Sequence, residues 1–404
     1  VAGDSGVRPP ASPGAMRFFI VLYFCTLAAS TAFNLIQTMQ LLVSSKEYVF
    51  MWGLYLVLAA SLVRPELVSR VWALLPWLML VQLPLIVYQR FVVAPSRQGI
   101  GAAWDAVVGV FGGNPQGGGS SGAMGLYCVV GMMTVLARWR RGVMPGWQAL
   151  VLALSGLLGI ALAEIKFAVL LIPVAFGLLF LREFSRRPLK GLVAILVGFS
   201  LAFGVLVAYK AQYGRSDNGQ TLGEYFEGMF SSSTDADFVN LKTREIGRVA
   251  AITFWSSRHG VDDPLHLFLG HGAGASRIGD LVVGDAAKGY PFNIARSALA
   301  ILLWEVGLIG ALAYIGLLAA TYLSLFRQSL DGRLDADARA TCGSMAVAVV
   351  MFGAGLPYNT DLLFSHQIQV LLMMCMGYAA MTNIRLGRGP VVPAQSAPRM
   401  AAPA

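Results

Sequence analysis

Long apolar runs separated by short charged clusters recur along the whole 404-residue chain. Runs of about 17 to 25 apolar residues are each long enough to cross roughly 30 Å of hydrocarbon as a helix. Their lengths predict about ten spans, near residues 17–42, 48–63, 71–93, 123–137, 146–163, 165–182, 191–209, 295–325, 341–357 and 362–383. The pattern therefore indicates an all-α, polytopic helical membrane bundle.

Composition supports this interpretation and excludes a soluble protein. Hydrophobic residues make up 56% of the chain and charged residues only 13%, against about 25% charged residues in ordinary soluble domains. All four cysteines lie inside apolar runs, where a free thiol behaves as a small hydrophobe. Cys25, Cys128, Cys342 and Cys375 thus predict neither a disulfide framework nor a zinc site, and we expect no metal and no cofactor.

The distribution of basic residues predicts the orientation of the bundle. The formal net charge is +9, which would suggest nucleic acid in a soluble protein, but most basic residues lie in short loops between spans. Counting loops alternately puts one set of basic residues on a single face: Arg64, Arg70, Arg138, Arg140, Arg141, Arg182, Arg186, Arg187, Lys190, Arg327, Arg333, Arg339, Arg385 and Arg388. The positive-inside rule makes that face cytoplasmic, so both termini are predicted inside and no nucleic-acid partner is expected.

The same count divides the chain into five parts. We expect a disordered cytoplasmic N-terminus (1–15), membrane helices (16–209), a large periplasmic loop (210–294), further membrane helices (295–385) and a disordered cytoplasmic tail (386–404). Apolar residues at helical spacing within 222–229 and 246–254 predict short amphipathic helices lying on the membrane. The first residue is Val rather than Met, so a further segment upstream of residue 1 remains an alternative.

Basic residues on the outer face are the first candidates for chemistry, because the positive-inside rule predicts few of them there. Arg244 and Arg248 lie one helical turn apart, so both guanidinium groups can project from one face and suit a phosphate or pyrophosphate. Ordinary exposed ion pairs are the alternative interpretation, and such pairs contribute little stability. Arg90, Arg215 and Arg277 also map to this side.

Ionisable residues near the outer ends of spans form a second group. Glu164 and Lys166 join two spans with almost no loop, which forces an acid and a base to the edge of the membrane, either as a functional site or as a neutral pair. Arg296 lies at the start of a long span. Its side chain either extends to the membrane interface (snorkelling) or contacts a lipid phosphate, and both alternatives remain. Glu305 lies deeper in that span, so its side chain must face protein or water. A polar contact between packed helices and a catalytic role are the two alternatives.

A glycine-rich stretch, Leu269–Arg277, has alternate glycines that let backbone N–H groups approach an anion closely. His271, Gly272 and Gly274 are the candidate binding residues. The stretch lacks the Walker spacing and the strand-and-helix frame of a nucleotide loop. The histidines show no metal-ligand spacing on an evident helix, so a structural role is the simpler interpretation for each of them.

Taken together, these features resemble the O-antigen polymerase and ligase superfamily of bacterial envelope glycosyltransferases, the Wzy/WaaL type. The motifs that carry the resemblance are Gly112–Gly125, Glu164-Ile-Lys166, the external loop with Arg244 and Arg248, Phe268–Gly274 and Glu305–Gly310. The resemblance implies a bundle of ten or more helices with a periplasmic cavity. It also implies inverting glycan transfer from undecaprenyl diphosphate at the inner membrane, without a metal or a nucleotide sugar.

The resemblance assigns roles to the residues already found. Arg244, Arg248, Glu164 and Glu305 become the catalytic candidates. The binding candidates are Lys166, Arg296, Arg277, His271, Gly272, Gly274, Arg215 and Arg90. External arginines would stabilise charge on the leaving diphosphate, and a base would serve the acceptor hydroxyl. Glu164, His271 and Glu305 stay open as that base, as does a dissociative reaction that needs no strong base.

One departure from the family pattern favours a polymerase over a ligase. Ligases of this family commonly carry a His about nine positions before the Glu of Glu-x-Gly-x-x-Gly, and Arg296 stands there. We therefore expect a polymerase that joins lipid-linked repeats of an exopolysaccharide, capsule or O-antigen, with membrane lipid, a chain-length regulator and export proteins as partners. A ligase acting on lipid A core or protein, a transporter or flippase, and a structural membrane partner are the alternatives.

Overall fold

A computed structural model describes residues 13–97, 106–112, 121–181, 188–213, 235–279 and 282–387. Seven helices in these ranges are long and apolar enough to cross a membrane. The number is eight when two shorter helices that meet at 46°, Thr38–Tyr48 and Trp52–Ala59, count as one bent span. The expected all-α polytopic class is confirmed, whereas the count of ten is not reached by length and composition.

The elements follow one another in a simple order. They are α1 (Pro13–Phe33), α2 (Thr38–Tyr48), α3 (Trp52–Ala59), α4 (Pro65–Val81), α5 (Leu83–Tyr88), a π-helical turn (Gln89–Val93), α6 (Ala94–Ser96), a 3-10 turn (Gly109–Gly112), α7 (Ser121–Arg140), α8 (Gly146–Ala163), α9 (Lys166–Leu179), α10 (Pro188–Tyr213), β1 (Val239–Asn240), β2 (Glu245–Ile246), α11 (Arg248–Arg258), α12 (Pro264–Leu269), α13 (Asp285–Lys288), α14 (Ala298–Leu330), α15 (Ala336–Gly355), α16 (Asp361–Phe364) and α17 (His366–Gly387).

Four helices form the interior of the bundle. In α7, α14, α15 and α17, 72–78% of the most apolar 18-residue window is buried, against 28–39% in α1, in α8 and in the continuous helical run Pro65–Ser96. Small residues of α15 lie at contacts with other interior helices, Gly343 against Ser329 of α14 and Gly355 against Leu126 of α7, as is common where membrane helices pack closely. The peripheral helices accordingly leave most of their apolar side chains on the outside of the bundle, where lipid surrounds a membrane protein.

The first predicted span, 17–42, is two helices instead of one. Helix α1 ends at Phe33, Leu35 has a positive φ of 46°, and α2 begins at Thr38. The Asn34 side-chain amide donates to the Ser30 carbonyl at 2.8 Å and to the Gly270 carbonyl at 3.0 Å. The second of these bonds joins the end of α1 to a distant loop, so tertiary contact ends the helix where hydrophobicity alone predicts continuation.

Helix α14 is also interrupted, at Gly307. This residue has φ 65° and ψ −168° inside a 33-residue helix whose Ser297 cap accepts a bond from the Ala300 N–H. A Cβ at Gly307 would lie 2.4 Å from the Phe268 carbonyl carbon, so only glycine fits there. The predicted span 295–325 therefore contains a break that places the glycine-rich stretch against the helix.

The basic loops meet at one end of the bundle. Arg138, at the end of α7, pairs with Asp337 in α15 at 2.6 Å, and Arg385 in α17 pairs with Glu66 in α4 at 2.9 Å. Arg333, between α14 and α15, donates to the Leu386 carbonyl. Loops that the charge pattern predicts on one face therefore contact one another, and we call this the basic end.

The segment before α14 folds on the opposite end. Strands β1 and β2 pair antiparallel, and α11 buries Ala250, Ala251 and Trp255. The helix predicted over 246–254 is present from Arg248, while Ile246 belongs to β2. The other predicted helix, 222–229, lies outside the described residues.

Candidate functional site

A polar cavity of about 600 Å³ opens at the end of the bundle opposite the basic end. It is surrounded by the start of α7, the α8–α9 junction, β2, the start of α11, the residues before α14 and the start of α16. Its lining is Ser121, Gly122, Ala163, Glu164, Ile165, Lys166, Phe167, Glu245, Arg248, Asn293, Ala295, Arg296, Tyr358, Asn359, Thr360 and Asp361. We call it the polar cavity.

Glu164 and Lys166 reach the polar cavity through the tight connection that the sequence predicts. Helix α8 ends at Ala163, Glu164 adopts left-handed geometry with φ 55°, and α9 begins at Lys166. Burial raises the pKa of the Glu164 carboxyl, and the positive charges of Lys166 and Arg90 oppose this rise. The pair thus supplies one cation and one carboxyl of reduced acidity.

Arg248 and Arg296 bring two guanidinium groups to the same cavity. The Arg248 Cζ lies 4.0 Å from the centroid of the Tyr358 ring, an attractive cation–π contact. The Phe167 ring stacks on Tyr358 with centroids also 4.0 Å apart. Arg296 approaches Glu245 at 3.5 Å. Aromatic stacking and one ion pair therefore position the two cations from different parts of the chain.

The prediction that Arg244 and Arg248 share one helical face is wrong. Arg244 has φ 56° in the turn between β1 and β2, and its carbonyl accepts a bond from the Asn293 N–H at 2.9 Å. Strand pairing occupies residues 245–246, so α11 starts only at Arg248. The Arg244 side chain is exposed and is absent from the cavity lining.

Asp361 is the main cavity residue that the sequence analysis missed. Its Oδ2 accepts a bond from the Asn359 amide at 2.7 Å, and a Cβ at Gly122 would lie 2.5 Å from the same oxygen. Burial raises the pKa of the Asp361 carboxyl to about 6. The available signal was the polar run Asn359-Thr-Asp361 between two apolar spans, on the same side as Glu164.

Glu305 lies apart from this lining, in an internal site built by the glycine-rich stretch. Its carboxylate accepts bonds from the N–H of Gly274 at 2.6 Å and of Ser276 at 3.3 Å. The hydroxyls of Ser276 and Tyr48 each donate to it at 2.6 Å. The N–H groups of the glycine-rich stretch therefore bind a carboxyl group, and this group is a side chain of the same protein.

The break at Gly307 explains why the stretch docks there. The N–H of His271 donates to the Trp304 carbonyl at 2.8 Å, and the N–H of Gly272 donates to the Glu305 carbonyl at 3.0 Å. Carbonyls near the break thus regain partners from outside the helix, as buried backbone groups require. The structure gives His271, Gly272, Gly274 and Glu305 a common position, outside the polar cavity lining.

The remaining predicted site residues occupy separate places. Arg277 pairs with Glu47. The His271 Nε2 lies 2.8 Å from the His259 Nε2, and burial lowers the pKa of His271 to about 4. Arg90 is buried in the π-helical turn and acts on Glu164 through its charge. Arg215 lies outside the described residues.

Comparison with known proteins assigns neither a family nor a function to this chain. No model of a known protein family matches the chain, and no curated protein is significantly similar to it. Across the residues that the structure describes, no group of three His, Cys, Asp or Glu side chains is arranged to hold a metal ion. The polar cavity and the sequence motifs are therefore the features of this protein that bear on its function.

Proposed function

We propose that this protein is a polysaccharide polymerase that transfers undecaprenyl-diphosphate-linked glycan onto a lipid-linked repeat unit. One observation carries the proposal. The polar cavity joins Lys166, Arg248 and Arg296 with the half-buried carboxyl of Asp361 at one end of a helical membrane bundle. A lipid-linked diphosphate lies at that depth, and its sugar extends into the aqueous side of the cavity.

The three cations suit the diphosphate of such a donor. A guanidinium presents several N–H donors in a planar fork that matches phosphate oxygens, and an ammonium adds a compact charge. Arg248 is held against Tyr358 and Arg296 beside Glu245, so both groups are positioned before substrate arrives. Fixed donors of this kind stabilise charge that develops on a leaving group without reorganising in the reaction.

Asp361 is the group that we assign to the acceptor. The acceptor hydroxyl oxygen forms a bond to the anomeric carbon as the bond from that carbon to the diphosphate oxygen breaks. The hydroxyl proton passes to the Asp361 carboxylate, and the diphosphate leaves with the bonding electron pair among the three cations. A carboxylate of pKa about 6 is ionised at neutral pH and is a stronger base than an ordinary aspartate.

The proposed setting follows from the charge pattern. With the basic end in the cytoplasm, both termini are cytoplasmic and the polar cavity faces the periplasm of a bacterial inner membrane. Lipid-linked donors and acceptors then reach the cavity from the outer leaflet. A chain-length regulator and export proteins are the partners that such a polymerase requires.

In-vitro extension of a lipid-linked repeat by purified protein tests the proposal. Wild type should give a ladder of products, whose rate of formation rises with pH around an apparent pKa near 6. Arg248→Ala and Asp361→Asn should lose the ladder, while the exposed Arg244→Ala is the matched control and should keep it.

The products also separate the alternatives. A single unextended glycan attached to another acceptor would identify a ligase. Failure to transfer glycan from any lipid-linked donor would refute the enzyme proposal and favour a transporter. A ladder that survives in Asp361→Asn would refute the assigned base while leaving the polymerase in place.

A further inference from the structure

Three of the four histidines in the chain contact one another at the end of the bundle opposite the basic end. The His266 and His271 rings stack with their centroids 4.1 Å apart. The His259 Nε2 lies 2.8 Å from the His271 Nε2. His259 is buried and the other two rings are half-buried. We call these three residues the histidine cluster, which lies outside the polar cavity lining.

The neighbour of the His259 Nδ1 fixes the tautomers of the bonded pair. This nitrogen lies 3.0 Å from the Trp255 carbonyl oxygen, which can only accept a hydrogen bond, so Nδ1 carries a proton. In the neutral ring the Nε2 is then bare, and it accepts a hydrogen bond from the Nε2–H of His271. The arrangement is that of two neutral rings joined by one hydrogen bond.

The neighbours of His266 are those of a protonated ring. Its Nδ1 lies 2.8 Å from the Asp263 carboxylate, and its Nε2 lies 3.1 Å from the Asn34 Oδ1. The Asn34 amide nitrogen donates to two backbone carbonyls, so its Oδ1 faces the ring as an acceptor. Because both nitrogens of His266 face acceptors, this ring is positioned to carry a proton on each, with Asp263 as its counter-ion.

Acid acts against the His259–His271 pair in two ways. A first added proton places a second positive charge beside His266, whose ring stacks on His271. A second added proton gives both Nε2 atoms a hydrogen, so two donors face each other and their hydrogen bond is lost. Burial and the charge of His266 accordingly lower the pKa of His271 to about 4. Burial also lowers the pKa of His259.

Charged side chains near the histidine cluster come from the elements packed against it. They are Arg258 on α11, Asp262 and Asp263 before α12, and Glu305 on α14. Arg258 lies over the Phe254 ring, and the Glu305 carboxyl accepts its bonds elsewhere. Asp263 pairs with His266, and α1 contributes the uncharged Asn34 amide. Among the described residues, no carboxylate hydrogen-bonds to the His259–His271 pair, so nothing there compensates its protonation.

We propose that the His259–His271 hydrogen bond is an acid-sensitive latch that holds the end of α11 against the glycine-rich stretch. The stretch is fixed to α14, because the His271 N–H donates to the Trp304 carbonyl. The latch therefore ties α11 to a membrane helix, and α11 carries the cavity residue Arg248 at its other end. The latch operates without substrate, so it does not depend on the proposed glycan transfer.

The sign of the pH dependence follows from the lowered pKa values. The unfolded or unlatched rings bind protons near an ordinary histidine pKa of about 6.5, whereas the latched rings bind them only at lower pH. The latch is therefore complete above about pH 7 and weakens as pH falls through 6.5 toward 4.

Hydrogen exchange of the full chain in detergent, without substrate, tests the latch at about pH 7.5 and about pH 5. Protection factors of wild-type amides in α11 and in residues 269–272 should fall about tenfold at the lower pH. His259→Gln combined with His271→Gln removes both titrating rings, so its protection should change less than about twofold. His366→Gln removes the fourth histidine, which lies on α17, and should keep the wild-type response.

Two further comparisons keep the test decisive. His271→Gln alone removes the ring whose pKa is about 4, so it serves if the double variant does not fold, and its response should be below about threefold. The amides of α14 report general acid unfolding and should keep their protection. Unchanged protection of wild type in acid, an equal loss in α14, or a full response in the variants without His271 would each overturn the proposal.

Discussion

Replacing Asp361 with asparagine should stabilise the protein while removing its proposed activity. The carboxyl lies at the start of α16 in the polar cavity, and burial raises its pKa to about 6. Ionising it in the folded protein is therefore harder than ionising it in the unfolded chain. Asparagine has nearly the same shape and carries no charge, so it removes this cost.

The magnitude follows from linkage between protonation and folding. A pKa of about 6, instead of about 4, corresponds to roughly 3 kcal/mol of stability lost on ionisation. The bond from the Asn359 amide weakens when its acceptor becomes neutral, which costs about 1 kcal/mol. A net gain of about 2 kcal/mol at neutral pH remains for Asp361→Asn.

The pH dependence has a definite sign. Between about pH 4 and pH 6 the folded protein binds a proton at Asp361 that the unfolded chain has released, so wild-type stability falls as pH rises through this window. Asparagine does not titrate. The advantage of the variant should therefore be small near pH 4 and reach its full value above pH 7.

Thermal unfolding of both proteins in detergent across this pH range measures the effect, with an expected Tm difference of about 2 °C above pH 7 for a chain of 404 residues. Asp331→Asn is a control of opposite sign, because hydrogen bonds from Arg333 lower the pKa of Asp331. The ionised Asp331 stabilises the wild type fully above the ordinary aspartate pKa of about 4, so this variant should be less stable than wild type by a nearly constant amount from about pH 5 upward. A Tm difference for Asp361→Asn that is constant with pH would refute the reasoning.

Three further predictions follow from the geometry. Arg248→Ala should lower glycan transfer at least about a hundredfold by removing a cavity cation, whereas Arg244→Ala should stay within about threefold, and equal losses would contradict the cavity assignment. Gly307→Ala should cost more than about 3 kcal/mol, seen as loss of monodisperse protein, because a Cβ would lie 2.4 Å from the Phe268 carbonyl carbon. Glu305→Ala leaves four donors without the carboxyl that accepts from them and should lower stability by about 3 kcal/mol, whereas an unchanged Tm would contradict a structural role for these hydrogen bonds.

Several features of the protein could be read from local pattern. Apolar run length predicted the membrane helices, because a chain in lipid must satisfy its backbone hydrogen bonds within each segment. The lengths of the apolar runs also predicted the tight α8–α9 connection at Glu164 and Lys166, which the structure shows. The spacing of charged loops predicted a basic end, and the contacts of Arg138, Arg333 and Arg385 bring those loops together.

Local pattern failed where a distant segment competed for the same backbone. Helical spacing predicted one face for Arg244 and Arg248, but pairing of β1 with β2 places Arg244 in a turn. Hydropathy predicted an unbroken span through Gly307, but the glycine-rich stretch supplies partners to the Trp304 and Glu305 carbonyls. In both cases a hydrogen bond from elsewhere replaced the local one.

The sequence by itself determined that this chain is a polytopic helical membrane protein with its basic loops at one end, because hydropathy and charge act on each segment separately. Only the tertiary structure decided which polar groups share a site. It joins Asp361 to Glu164, Lys166, Arg248 and Arg296 and assigns Glu305 to the glycine-rich backbone. Such groupings depend on how helices pack, and packing brings together residues that no local spacing relates.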